Sequence, residues 1–373
     1  MAKVIITGGG TAGHTNPGIA TAQALVARGL DIADVHFVGG ERGNEGTIVP
    51  AAGFSIDLLP GRGIKRSLST DNIGALADLF RGAIQAFRIV RTHKPKVVVC
   101  LGGYAAFGAS LAAILQRVPV VVTEQNARAS VVNRLVGRFA KSCAIPFPDT
   151  DLPNAVLTGN PVRPAVVDAV VAADRAASRA RRGFAADRTV VMVLSGSLGA
   201  TSVNRAVRAL AEDWSDRSDL TIHHIIGRRD WDEFGGVSID GSLDYRTVEY
   251  EDDVPSLLVS ADLALCRSGA STVTELAIAG LPAILVPLPG APRDHQRANS
   301  AELVDAGGAI VIEDSDLSAA SLAEALTPMI EDKGVREAMS IGSASVGRPN
   351  AADAVAALVL DVAGRAPTIG SQS

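Results

Sequence analysis

One folding device occurs twice in this chain, once in each half, and it narrows the possible folds more than anything else in the sequence. Near the start, Lys3-Val4-Ile5-Ile6-Thr7 runs into Gly8-Gly9-Gly10-Thr11-Ala12-Gly13-His14, and apolar residues then recur at helical spacing (Ile19, Ala22, Leu25, Val26). In mid-chain, Val190-Val191-Met192-Val193-Leu194 runs into Ser195-Gly196-Ser197-Leu198-Gly199-Ala200, followed by Val203, Ala206, Val207 and Leu210 at the same spacing. A strand, a glycine-rich turn and a helix start make an anion site. Small residues let backbone amides approach a ligand, and the helix end adds partial positive charge. Two copies predict two similar nucleotide-binding-type units facing one another across a cleft.

Short apolar, β-branched runs alternate with helical patterns through both halves. Further strands are expected at Val35–Val38, Val97–Leu101, Val118–Thr123 and Ser142–Ile145, then at Ile222–Ile226, Leu263–Cys266, Ala283–Pro287 and Ala309–Ile312. Runs of this kind suit parallel strands covered on both faces, and the alternation points to βαβ units. The predicted fold class is therefore α/β, with two Rossmann-like, doubly wound parallel sheets. The length of 373 residues is enough for two cores. The switch between halves is expected at Gly159-Asn160-Pro161-Val162-Arg163-Pro164, giving domains 1–163 and 164–345. A polar, arginine-rich helix over Asp174–Arg182 precedes the second device, and Ala351–Val362 reads as a closing helix, expected to pack back on the first domain as part of about 350–364.

Composition removes several classes. Hydrophobic residues at 47% with 20% charged residues describe an ordered chain. Three cysteines without metal-like spacing fit a reducing compartment. A strand starting by residue 3 leaves no space for a signal peptide, so none is expected. No apolar run approaches the roughly 18 residues of a membrane span. Aromatics at 4% disfavour base-stacking platforms, so no nucleic-acid partner is expected. The charge is lopsided. Residues 1–163 carry 17 Lys and Arg against 10 Asp and Glu, a net of +7, while the whole chain is at −5. Either surface composition drifts along the chain, or the first half meets an anionic partner such as a membrane surface or a phosphate-bearing substrate.

The first glycine loop matches G-x-G-x-x-G at Gly8, Gly10 and Gly13, which a nicotinamide or flavin enzyme would also show. That fingerprint expects its ribose-binding acid about 20 residues on, whereas Glu41 lies 28 residues beyond Gly13. Residues 39–45 read instead as a glycine-rich loop. His14 stands where a helix dipole disfavours imidazolium and keeps the ring available as a base. Gly102-Gly103 follows one strand and Glu124-Gln125-Asn126 follows the next. Strand C-termini are where open α/β sheets place ligands, so His14, Gly102, Gly103, Glu124 and Asn126 are expected on one rim. In the second half, Arg267-Ser268-Gly269-Ala270-Ser271-Thr272 joins a strand to a helix and offers amides to a diphosphate. Glu275, one turn on, can accept two hydrogen bonds from a ribose diol. Asp294-His295-Gln296-Arg297-Ala298-Asn299 supplies the kind of side chain a sugar needs.

These motifs, in this order, resemble the MurG family of UDP-N-acetylglucosamine transferases. The similar segments are 9–14, 101–104, 124–126, 159–163, 196–200, 267–275 and 295–299, and they span about residues 1–362. Three positions depart from the family pattern. Ala12 and Ser195 replace common glycines, and Thr123 stands where a histidine often precedes Glu-Gln-Asn, which puts more weight on His14.

The resemblance implies a GT-B fold and inverting transfer of N-acetylglucosamine from UDP-N-acetylglucosamine to a lipid-linked muramyl pentapeptide, with neither metal nor cofactor. That step belongs to peptidoglycan synthesis, and with it to cell shape and division. Ala270, Ser271, Thr272, Glu275, Gln296, Asn299, Ser197 and Arg163 are then donor-binding residues. Gln296 and Asn299 are assigned to the sugar, Glu275 to the ribose, and Ser197 to the diphosphate or sugar. Thr11, Ala12, Gly13 and Asn126 line the donor–acceptor cleft, and Gly13, Gly102 and Gly103 meet the acceptor diphosphate. His14 is the favoured base and Glu124 its rival. Asp71–Thr92 reads as an amphipathic helix, either ordinary core or, with Lys65, Arg66, Ile73, Leu76 and Phe80, a patch on an anionic membrane. The implied location is the cytoplasmic face of the cell membrane, held peripherally. A transferase with a soluble acceptor, a nicotinamide-dependent oxidoreductase and a non-enzymatic sugar-nucleotide sensor remain alternatives.

Overall fold

The computed structural model describes residues 3–9, 12–60, 71–196 and 198–364, except the side chains of residue 12 and residues 71–80. Thr11, Lys65, Arg66 and Ser197 therefore lie outside the described residues, as do the side chains of Ala12, Ile73, Leu76 and Phe80.

The chain divides into two compact units, Met1–Arg163 with Pro349–Ser373, and Pro164–Arg348. The first is built on seven strands: β1 (Val4–Gly8), β2 (Val35–Gly40), β3 (Ser55–Leu59), β4 (Val97–Gly102), β5 (Val120–Thr123), β6 (Ser142–Ile145) and β7 (Ala155–Leu157). They lie side by side in the order 3-2-1-4-5-6-7. The second is built on six: β8 (Thr189–Leu194), β9 (Leu220–Ile225), β10 (Asp244–Val248), β11 (Leu263–Cys266), β12 (Ala283–Leu285) and β13 (Ala309–Val311), in the order 10-9-8-11-12-13. Every strand pair is parallel. Counted from each unit's own first strand, both sheets begin 3-2-1-4-5-6, the doubly wound dinucleotide-fold order.

Strand alternation shows why the apolar runs are unbroken. In the first sheet, Val4, Ile6, Val97, Val99 and Leu101 face one layer with Ala22 and Leu25 of the helix Ala12–Ala27 and Val355, Val359 and Leu360 of the helix Ala351–Val362. Ile5, Val98, Cys100, Val120 and Val122 face the other layer with Ala86, Ile89 and Val90 of the helix Asp71–His93 and Ala105, Ala109 and Ala112 of the helix Tyr104–Leu115. Odd and even residues of one strand thus enter different cores. In the second sheet, Val191, Val193, Ile222, Leu263 and Leu265 pack with Val203, Val207 and Leu210 of the helix Thr201–Asp213 and Leu322 and Leu326 of the helix Ala319–Glu331.

Strands β3, β7 and β10 were not among the expected strands. All three lie on sheet edges and are half-buried or exposed along most of their length. An edge strand packs on fewer neighbours, so Asp57 is tolerated in β3 and Arg246 and Thr247 in β10, which breaks their apolar runs, while β7 is only three residues long. Residues 39–45 also differ from the expected loop. Gly39 and Gly40 finish β2, and Glu45 begins the helix Glu45–Ala51 with its side chain buried. The arginine-rich segment forms the helix Arg175–Arg182, capped by the Asp174 carboxylate accepting from Ala177 N at 2.9 Å and closed by Gly183 in the left-handed conformation. No helix among the described residues is long and apolar enough to cross a membrane.

Candidate active site

Each sheet has its chain reversal between its first and fourth strands, and a crevice opens outside their carboxyl ends. In the first unit the β1–β4 register slips by one residue between Thr7 and Gly8, so that Gly8 pairs with Gly102. The loop after β4 then meets the loop after β1. A Cβ on Gly103 would stand 2.7 Å from the Gly9 carbonyl oxygen, and Gly103 has a φ of +85°, so two separate reasons require glycine there. Gly103 also precedes the helix Tyr104–Leu115 without any side-chain cap. The amides of that first turn are left to water or a ligand.

Glu124, at the end of β5, is 1% exposed. Its Oε1 accepts from Gln125 N at 2.9 Å, Asn126 N at 3.0 Å and Asn126 Nδ2 at 3.4 Å. Its Oε2 accepts from Ser130 N at 2.9 Å and Asn133 Nδ2 at 2.8 Å. Ser130 Oγ in turn accepts from Asn133 N at 3.2 Å, capping the helix Val131–Gly137. Five donors saturate the carboxylate and fold residues 124–133 around it. The sequence offered no sign of Asn133, which is fully buried on a short helix without polar periodicity.

His14 lies in the first turn of the helix Ala12–Ala27 and is half-buried. Burial lowers its pKa below the ordinary 6.5, with the Glu124 and Glu45 carboxylates opposing. The net direction keeps the ring neutral at neutral pH. Glu45, missed in the sequence, is 1% exposed and accepts from Gly40 N at 3.0 Å. A Cβ on Gly9 would fall 1.9 Å from its Oε1, so the carboxylate lies directly against the first glycine loop. Glu41, the ribose acid a dinucleotide fingerprint would need, is exposed.

The second crevice lies between the ends of β8 and β11. Gly199 and Gly227 both have left-handed φ, at +104° and +89°, and a Cβ on Gly227 would stand 2.2 Å from Gly199 N. Beneath this turn is a buried polar relay. Asn204 Oδ1 accepts from Ser195 Oγ at 2.5 Å and faces His224 Nε2 at 3.0 Å, while its Nδ2 donates to Ile226 O and Asp230 Oδ2. His224 Nδ1 meets Tyr245 Oη at 2.9 Å, and burial pushes its pKa down to about 3. The legible sign was polar residues inside buried elements, with His223-His224 in β9 and Asn204 beside an apolar helix stripe.

After β11, Gly269 precedes the helix Ala270–Ala279 with no side-chain cap, leaving its first amides available. Arg267 ties the surrounding loops together, donating to Val286 O at 3.3 Å, Pro287 O at 3.2 Å, Asp314 Oδ1 at 2.6 Å and Ser202 Oγ at 3.0 Å. The Ser268 hydroxyl is fully buried beside these amides and has no hydrogen-bond partner among the described residues. Asn299 is fully buried and donates to Ser268 O at 3.2 Å, so it braces this loop. Gln296 is half-exposed and accepts from Leu288 N at 2.9 Å. Just before it, Arg293 and Asp294 both hold left-handed φ, at +56° and +52°. Such non-glycine strain costs of order 1–3 kcal/mol per residue and tends to collect at ligand sites. Glu275 and Arg163 are half-buried. The structure thus gathers His14, Gly102, Gly103, Glu124 and Asn126 in the first unit, and Ala270, Ser271, Thr272, Glu275, Gln296 and Asn299 in the second.

Two doubly wound units, each with uncapped helix starts and glycine turns at its switch point, give the two-unit architecture of the GT-B fold class. Residues 4–145 match the glycosyltransferase family 28 N-terminal domain and residues 190–355 the glycosyltransferase family 28 C-terminal domain. The chain is 39% identical over 367 residues to the UDP-N-acetylglucosamine--N-acetylmuramyl-(pentapeptide) pyrophosphoryl-undecaprenol N-acetylglucosamine transferase of Mycolicibacterium smegmatis, covering 97% of this chain and 94% of that protein. The enzyme of the same name from Acetivibrio thermocellus is 33% identical over 368 residues, covering 96% and 98%. The crystal structure of Acinetobacter baumannii MurG superposes with a TM-score of 0.77 at 26% identity, covering 97% of this chain and all of that one. The chain belongs to the MurG family of glycosyltransferases, within glycosyltransferase family 28.

The saturated Glu124 carboxylate generates a test. Glu124→Gln turns one acceptor oxygen into a donor facing N–H groups. Urea denaturation is expected to show a loss of about 1–3 kcal/mol, the cost of buried donors left unsatisfied. An unchanged midpoint and slope would mean the carboxylate does not organise this loop.

Proposed function

We propose that this chain transfers N-acetylglucosamine from UDP-N-acetylglucosamine to the muramyl sugar of a lipid-linked muramyl pentapeptide, in peptidoglycan synthesis. The observation that carries this reading is nearly full-length kinship, at 39% and 33% identity, with enzymes bearing that name. In this reading the first unit takes the acceptor and the second the donor. Glu275 accepts hydrogen bonds from the ribose diol. The amides of Ala270, Ser271 and Thr272 and the Arg163 guanidinium offset diphosphate charge. Gln296 addresses the sugar, while Asn299 acts through the Ser268 loop that it braces. The uncapped start of the helix Tyr104–Leu115, behind Gly102 and Gly103, receives the acceptor diphosphate.

The acceptor hydroxyl oxygen attacks the anomeric carbon as the bond to the diphosphate breaks. UDP leaves with the electron pair, the configuration inverts, and the hydroxyl proton passes to a base. His14 fits that role. It is neutral and close to the glycine loop, whereas the oxygens of Glu124 are occupied by the loop they organise.

His14→Ala is expected to lower kcat by about 10²–10⁴-fold, the usual worth of a positioned base, with UDP affinity unchanged. A base works unprotonated, so kcat/KM falls as pH drops through the His14 pKa. Its lowered value places that acid limb below pH 6.5. A limb at or above 6.5, or a near-normal rate in the variant, would remove His14 from the role.

Glu275→Ala is expected to weaken UDP binding by about 1.5–3 kcal/mol, the range for charge-assisted hydrogen bonds, as read by calorimetry. Turnover is expected to persist in excess EDTA. Unchanged UDP affinity would sink the ribose assignment, and activity restored only by magnesium or manganese would sink the helix-end account of the diphosphate.

The acceptor's lipid calls for a membrane-facing surface. Ile84 and Phe87 on the helix Asp71–His93, and Phe107, Leu111 and Leu115 on the helix Tyr104–Leu115, are large, apolar and 36–67% exposed. These helices touch where Gln116 Nε2 donates to Phe87 O at 3.1 Å. Exposed Arg81, Arg88 and Arg91 lie on the first of them. An apolar face rimmed by arginines suits peripheral attachment to an anionic, cytoplasmic membrane face. Anionic vesicles are expected to recruit the protein reversibly in flotation, with salt weakening recruitment, since each interfacial arginine is worth about 1 kcal/mol. Leu115→Glu with Phe107→Ser is expected to abolish flotation without changing UDP affinity. Equal binding to neutral vesicles would remove the arginines from the attachment, and binding to neither would make the apolar face ordinary surface.

A further inference from the structure

Three metal-binding side chains meet at the outer edge of the first sheet, away from its crevice. His36 is the second residue of β2, near the end opposite the glycine turns. Parallel register pairs it with Ser55 of β3, and Asp57 follows two residues later, so all three side chains project from one face. That face also carries Val38 and Leu59, which pack on Ala86, Ile89 and Val90 of the helix Asp71–His93. The last residue of that helix, His93, comes down on the same spot. The His36 imidazole is thus buried at the margin of this helix–sheet layer, with the half-exposed Asp57 and His93 beside it.

The geometry is close to that of a ligand set. His36 Nε2 is 3.0 Å from Asp57 Oδ2, and the His36 ring stacks on the His93 ring with centroids 4.3 Å apart. One nitrogen from each histidine and one Asp57 oxygen all lie within 4.8 Å of one another. Tetrahedral coordination at about 2.1 Å sets donors roughly 3.4 Å apart, so the set is slightly wider than a bound site and the stacked rings have to rotate to converge on an ion. Ser55 Oγ lies 2.8 Å from His36 Nδ1. A hydroxyl both donates and accepts, so it can take the Nδ1 proton as a hydrogen bond and leave the Nε2 lone pair facing the metal.

We propose that His36, Asp57 and His93 form a transition-metal site of the zinc class, completed by water, that clips the carboxyl end of the helix Asp71–His93 to the sheet edge. Imidazole donors select zinc, nickel or copper over magnesium and calcium. The clip stabilises the first unit by mass action and takes no part in glycosyl transfer, so it stands apart from the metal independence expected of turnover.

The test uses the full-length protein after EDTA treatment and removal of the chelator. Zinc is expected to raise the melting temperature and bind one ion per chain by calorimetry, and cobalt is expected to give visible absorption of a low-symmetry nitrogen–oxygen site. Asp57→Asn and His93→Gln are each expected to weaken zinc binding by about tenfold or more, with turnover unchanged and, for Asp57→Asn, melting in EDTA unchanged. Asp57 is partly exposed, so its variant folds even where the stacked pair is sensitive. Failure of the wild-type protein to bind zinc at submillimolar concentration, or equal binding by both variants, would overturn the proposal.

Discussion

A parallel sheet covered on both faces leaves polar chemistry one place to stand, the carboxyl ends of its strands. In the first unit alternate residues of the central strands enter separate apolar layers, and in the second the residues of β8 and β11 are almost all buried, so neither face has room for a ligand. The strand order reverses beside β1 and again beside β8, and at those points adjacent connections depart in opposite directions. His14, Gly102 and Gly103 stand at the first reversal and the amides of Ala270, Ser271 and Thr272 at the second, with Glu124 at the end of the neighbouring strand β5. Glycine is demanded there by close approach, as Gly103 against Gly9 and Gly227 against Gly199 make plain.

Loops at such a rim have few apolar contacts to hold them. The protein fixes them with buried polar centres instead. Glu124 gathers donors from residues 125–133, and Asn204 links Ser195, His224, Ile226 and Asp230 beneath the second glycine turn. Arg267 joins three further segments. Each centre is costly if half-satisfied and rigid if complete. Both Glu124 oxygens and both Asn204 side-chain polar atoms are used, which preorganises the loops around the ligand positions.

The same polar centres divide the labour among ionisable groups. Glu124 is consumed by its loop yet still places negative charge near His14, opposing the burial that lowers the imidazole pKa. His224, in the second unit, is buried so deeply that it serves only as a neutral hydrogen-bonding element. Two histidines in similar folds therefore differ in what they can do because one is half-open to its crevice and the other is sealed.

The sequence by itself determined the doubly wound class, the central strands and most of the rim. Continuous apolar runs such as Val97–Leu101 admit no other covering, and glycine turns followed by helix starts mark anion sites wherever they occur. The closing helix Ala351–Val362 was equally legible, since its apolar spacing needs no partner to be read. The edge strands β3 and β10 were not, because half-covered strands tolerate polar residues that break the apolar run, and β7 is too short to be read from its three apolar residues. Nor were the partners of Glu124 and Asn204. Asn133 reaches Glu124 through a turn and a short helix that no local periodicity encodes, and only the sheet brings Asp230 and His224 to Asn204. The tertiary structure likewise decided that Asn299 braces a loop and that His36, Asp57 and His93 share one edge. Local patterns record which face of an element is buried, whereas the pairing of polar groups depends on where separate elements finally meet.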